Sequence, residues 1–182
     1  MARVPQIEQK DQVAPQHQSV YDRITQSRGR VMGPFTVLLH SPEIAGRTAD
    51  LGAYIRFEST LSQEDKELAV LTAAREMDCE FEWAAHVPMA RRAGVREEAI
   101  AVIRDRRAPA GLTAAEAKLF NYVLRLLRLH RVDEDTFGAL RQRFGVQGLV
   151  ELTATVGYYG MLACTLNAFE VMPAPGDDRL PR

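Results

Sequence analysis

Cys79, Glu82 and His86 follow one another at spacings of three and four, and Glu67 stands twelve residues before the cysteine. A thiol can act as a nucleophile, an imidazole as a general acid or base, and a carboxylate can orient either or handle a proton itself. On a helix advancing about 100° per residue, Glu82 lies roughly 60° to one side of Cys79, and His86 returns to within roughly 20° of it. The three side chains are therefore predicted to point into one space. Asp78 reads as an N-cap that puts Cys79 at the first helical position, against the positive helix end, a setting that lowers a thiol pKa from ~8.5. Glu80 and Glu82 oppose that shift unless His86 is protonated.

Each of these residues also has an ordinary reading. A helical cysteine is commonly a small core residue, a histidine on a partly apolar face is commonly structural, and glutamates commonly face solvent. Trp83 serves equally as core, subunit contact or the wall of a substrate pocket. Arg75, one turn before Cys79, is a candidate for holding a substrate carboxylate, and His40, just before a capped helix, is a further candidate for substrate binding. One cysteine, one histidine and two glutamates match no compact zinc spacing, so no metal is expected.

The elements that must position these residues all read as helices. Val20, Ile24 and Tyr21 recur at helical spacing between Pro15 and Gln26, after a polar segment, 1–12, predicted to be poorly ordered unless something docks it. Phe35 to His40 reads as a buried helical turn. Ser41-Pro42-Glu43 starts a helix to about Arg56, with Ala45, Ala49, Leu51, Ala53 and Ile55 on its buried side. Ser62 caps a helix that carries Glu67 to about Glu76. The helix from Cys79 should end at Gly94, with a bend after His86 caused by Pro88. A shorter helix follows from Val95 to Asp105, and then a linker from Arg106 to Gly111.

Thr113 and Glu116 form a capping box for the next helix, and Asp133 caps another that Gly145 stops. Gln147 to Val171 is a long apolar helix whose Gly157 and Gly160 suggest close approach of a neighbouring backbone. The fold class is therefore all-α, with about eight helices and short turns.

Composition narrows the function. At 182 residues the chain is expected to form a single domain, with a polar arm over about 1–12 and a proline-rich tail over about 172–182. A net charge of −1 with no basic cluster excludes a nucleic-acid partner. The longest apolar run carries threonines, tyrosines and an asparagine, so no membrane span is expected. The absence of an apolar leader at the N-terminus and the sparse pair Cys79 and Cys164, too few for a disulfide scaffold, predict a cytoplasmic protein. The apolar helix 147–171 predicts a homo-oligomer.

Glu67, Cys79, Glu82 and His86, with the flanking Leu71-Thr72-Ala73-Ala74-Arg75-Glu76, Ala84-Ala85-His86-Val87-Pro88 and Ala93-Gly94-Val95, resemble the carboxymuconolactone decarboxylase family, which includes the alkyl hydroperoxidase D proteins. The match is densest over about residues 60–105. The resemblance implies an alkyl hydroperoxidase D-like helical bundle, a trimer or hexamer, a small-molecule substrate and no cofactor. The peroxidase branch carries Cys-x-x-Cys-x-x-x-His, and this chain has Glu82 at the second cysteine position, so the local disulfide of that branch cannot form. Three readings follow. In the first, cofactor-independent acid–base chemistry of decarboxylase, lactone or carbonyl type uses His86 as acid/base, Glu67 as its orienting partner, Glu82 as a second proton-handling group and Cys79 as part of the pocket. In the second, Cys79 is the nucleophile of a thiol-dependent peroxidase. In the third, the chain is a non-catalytic homolog.

Overall fold

The computed structural model describes residues 2–181, and among them eight α-helices and no strands are found. They are α1 (Gln18–Arg28), α2 (Phe35–Leu38), α3 (Pro42–Ala53), α4 (Gln63–Glu76), α5 (Glu80–Ala93), α6 (Glu97–Arg104), α7 (Ala114–Leu129) and α8 (Glu134–Ala168). The all-α expectation is met. The chain divides into two compact units, one of residues 1–59 and 164–172, the other of residues 60–163 and 173–182.

The first unit is closed by a core of Ile24, Phe35, Leu39, Ala45 and Ala49, which Ile7 and Val13 join from the N-terminal arm. The arm is docked: the Ile7 N–H donates to the Thr36 carbonyl at 2.8 Å, and the Arg3 N–H to that of Phe169 at 2.9 Å. Two isolated apolar side chains in a polar segment are enough to anchor it. Phe35 to Leu38 is the helical turn expected there. α3 begins at Pro42 as predicted but gives way after Ala53 to a π-helical turn, Tyr54–Glu58, and Leu51 is 46% exposed rather than inward.

In the second unit, α4 is the central element. Every residue from Asp65 to Arg75 is buried, so this helix is enclosed on all sides rather than presenting one inner face. Ser62 caps it, with the Asp65 N–H donating to Ser62 Oγ at 3.1 Å. Its other end differs from the sequence expectation. Asp78 takes φ +47° and closes α4 as a Schellman turn: the Cys79 N–H donates to the Ala74 carbonyl at 2.8 Å and the Asp78 N–H to that of Arg75 at 3.1 Å. Asp78 is thus the left-handed terminus of one helix, not the N-cap of the next, and Cys79 itself is the N-cap of α5.

α5 runs through Pro88 to a left-handed Gly94, as expected for its end. The capping box of α7 is formed in both directions, by Thr113 N–H to Glu116 Oε2 at 2.7 Å and Glu116 N–H to Thr113 Oγ1 at 3.2 Å. α8 is broken at Gly145, whose φ of +70° only glycine adopts freely, into segments 134–144 and 146–168. The helix is long and apolar enough to cross a membrane by composition, and it buries Leu149, Leu152, Val156 and Leu162 within the protein. Gly157 and Gly160 do not serve a close approach within the chain, since a Cβ at either would meet no atom within 4 Å.

Candidate active site

α4 and α5 lie side by side and bring three of the sequence-predicted residues together. Glu67 comes from the middle of α4; Glu82 and His86, one turn apart, share a face of α5. His86 Nδ1 is 2.7 Å from Glu67 Oε2, and Nε2 is 3.4 Å from Glu82 Oε2. The imidazole is therefore held between two carboxylates, one on each ring nitrogen. All three residues are buried.

Burial alone would push the His86 pKa down, because it disfavours the charged ring. Hydrogen bonds to Glu67 and Glu82, with the attraction of their charges, outweigh that loss and raise it from 6.5 to about 9. At neutral pH the ring is then an imidazolium, donating Nδ1–H to Glu67 and directing Nε2–H toward Glu82. The shorter contact fixes the ring, while the longer one leaves the Nε2 proton more loosely held.

Tyr159 of α8 completes the surroundings. Its ring meets that of His86 edge to face, with centroids 4.9 Å apart and planes at 87°, and Tyr158 packs against Tyr159 in turn at 5.4 Å. Tyr159 is a site residue that spacing arguments missed; its only sequence signal is the aromatic pair Tyr158-Tyr159 between Gly157 and Gly160. Lys66, next to Glu67 on α4, is buried as well. Burial holds its pKa below the usual lysine value, against the attraction of Glu67 and Glu151.

The remaining candidates have other placements. Cys79 is buried at the N-cap of α5 and in no disulfide, and its carbonyl accepts the Trp83 N–H at 3.1 Å. Trp83 is fully buried on α5. Arg75 is buried with its guanidinium occupied: Nε donates to the Arg104 carbonyl at 2.7 Å, and Nη1 pairs with Asp78. It fastens the end of α4 to the end of α6. His40 belongs to the first unit, where its Nε2 lies 2.8 Å from the Pro5 carbonyl oxygen. Both nitrogens of His86 are engaged by carboxylates, and among the described residues no group of three or more His, Cys, Asp or Glu is arranged to hold a metal ion.

Comparison with known proteins agrees with the all-α fold. Solved structures with the same fold include a protein of unknown function from Agrobacterium tumefaciens, at TM-score 0.66 and 23% identity over 76% of this chain and 96% of that one. An uncharacterized peroxidase-related protein from Ralstonia eutropha JMP134, described as an alkylhydroperoxidase AhpD core, matches at TM-score 0.77 and 17% identity over 96% of this chain and 93% of that one. The debrominase Bmp8, as a cysteine-to-alanine variant in complex with 2,3,4-tribromopyrrole, matches at 0.71 and 16% over 96% and 94%. No curated protein matches the sequence. The sequence model of the carboxymuconolactone decarboxylase family matches residues 42–124, which hold Glu67, Cys79, Glu82 and His86. By that match, residues 42–124 of the chain resemble the carboxymuconolactone decarboxylase family.

Proposed function

We propose that this protein is a cofactor-independent acid–base enzyme acting on a small carbonyl, lactone or carboxylate compound, with His86 as its general acid. The observation that carries the reading is the imidazole held between Glu67 and Glu82, which keeps a proton on each ring nitrogen at neutral pH. In a decarboxylation the electrons of the broken C–C bond pass to an enolate-like carbon as CO₂ leaves, and that carbon must take up a proton. His86 Nε2–H supplies it, Glu82 relays the replacement proton, and Glu67 keeps Nδ1 and the ring in place. His86→Ala is expected to abolish turnover of a lactone and β-keto acid panel, while Cys79→Ser retains much of it. Loss confined to the cysteine variant would overturn the reading.

A thiol reading is favoured by one observation: Cys79, in no disulfide, occupies the N-cap of α5, where the helix end favours an anion. In it Cys79 attacks a hydroperoxide or another electrophile with His86 as proton donor, and Glu82 leaves no local partner for a disulfide. Bmp8, a debrominase of the same fold, makes halogenated pyrroles worth adding to the assay panel. Iodoacetamide alkylation of Cys79 across pH tests it: a thiol titrating as an ordinary cysteine, with no peroxide consumed, rules the thiol reading out.

Two further proposals accompany this function. Cys79 and Cys164, neither in a disulfide, support a reducing, cytoplasmic setting. Val146, Val150 and Met161, exposed along one side of α8, support self-association as a trimer or hexamer. A stable monomer in sedimentation would contradict the latter.

A further inference from the structure

Glu76 lies nine residues after Glu67 on α4, hence roughly 180° around the helix from it. On that opposite face a cavity of about 240 Å³ opens between α4, α6, the segment after α6, and α7. Its walls combine two chemistries. Ile103, Phe120 and Leu124 supply apolar surface, and Arg106, Arg107 and Arg128 supply guanidinium groups against one lining carboxylate, Glu76.

Glu76 is already engaged. Arg128 binds it through both Nε and Nη2, the latter at 2.6 Å, and Arg106 Nε lies 3.9 Å from it. Arg106 also donates to Asp78 Oδ1 at 3.0 Å and to the Arg75 carbonyl at 2.9 Å. Arg107 differs. Its ion pairs, to Glu98 at 3.3 Å and Asp105 at 3.8 Å, are long and exposed, so exchanging them for a ligand costs little. The lining thus offers more positive charge than Glu76 neutralises, above an apolar floor. A bare inorganic anion would leave Phe120 and Leu124 unused, and a neutral apolar molecule would leave Arg107 unused.

We propose that this cavity is a second small-molecule site, separate from His86, that binds an organic carboxylate with an apolar body. Arg107 takes the carboxylate, Phe120 and Leu124 take the body, and Asn121 on the same wall adds an amide.

Benzoate is the probe, titrated calorimetrically into the full-length protein beside benzamide and inorganic phosphate. Benzoate is expected to bind saturably at one site per chain, about tenfold or more tighter than either control, since losing the charge-assisted pair or the apolar contact each costs at least that much. Arg107→Gln, whose exposed pairs make it harmless to folding, is expected to weaken benzoate by about tenfold. Asn121→Trp, filling the cavity from a half-buried position, should abolish binding, and His86→Ala should leave it unchanged. No saturable binding, unchanged affinity in both Arg107→Gln and Asn121→Trp, or loss confined to His86→Ala would overturn the proposal. Failure of the acid–base reading would leave these results untouched.

Discussion

Glu67 on α4 and His86 on α5, both buried, are joined side chain to side chain at 2.7 Å between the two helices. Because Glu82 meets the other ring nitrogen, the histidine is raised in pKa by its partners in spite of its burial. That balance determines the first two predictions.

A proton donor with a pKa near 9 is loaded at neutral pH and empties above it. The rate of the acid-catalysed step is expected to be level through neutrality and to fall as pH rises through about 9. Stability follows the same sign. The folded-state pKa exceeds the unfolded value of 6.5, so the contribution is complete below about pH 6.5 and is lost as pH rises through about 9. Denaturant midpoints at pH 6 and pH 10 measure it.

Glu67→Gln keeps the size of the side chain but removes the charge on Nδ1. Burial then prevails over a single remaining carboxylate, and the His86 pKa is expected to fall. Turnover at neutral pH should drop by at least about tenfold. Glu82→Gln, acting through the longer contact, should lower the pKa less. A pH–rate profile for each variant checks both statements.

Tyr159 meets the imidazole in an edge-to-face ring contact. Tyr159→Leu loses the aromatic pair and leaves a poorly filled space, costing about 1–3 kcal/mol in chemical denaturation.

Gly157 is a helical glycine with open space where a Cβ would stand. Gly157→Ala is expected to raise stability by about 0.5–1 kcal/mol from helix propensity alone. If that face meets a second copy closely, the same change should weaken self-association, and sedimentation of the variant separates the two effects.

The alternation of capping residues and helical apolar spacing made most of the helices legible, because Ser62, Thr113, Asp133 and Gly94 act locally. The shared face of Glu82 and His86 was legible for the same reason, since i,i+4 neighbours meet on any helix. The nearness of Glu67 came from family resemblance, not from spacing, as it depends on how two helices pack. Asp78 was misread because aspartate suits both an N-cap and a left-handed C-terminal position, and only the hydrogen bonds to Ala74 and Arg75 decide between them. The docking of Ile7 and Val13, the partners of Arg75 and the contact of Tyr159 with His86 are tertiary, and no local pattern encodes them.

The central claim is that His86 is a charged acid held between two carboxylates, and ¹⁵N NMR titration of its imidazole tests it most directly. The account predicts both ring nitrogens protonated at pH 7, a titration near pH 9, and a downward shift in Glu67→Gln. A neutral ring at pH 7 that titrates at or below 6.5, unmoved by Glu67→Gln, would contradict it.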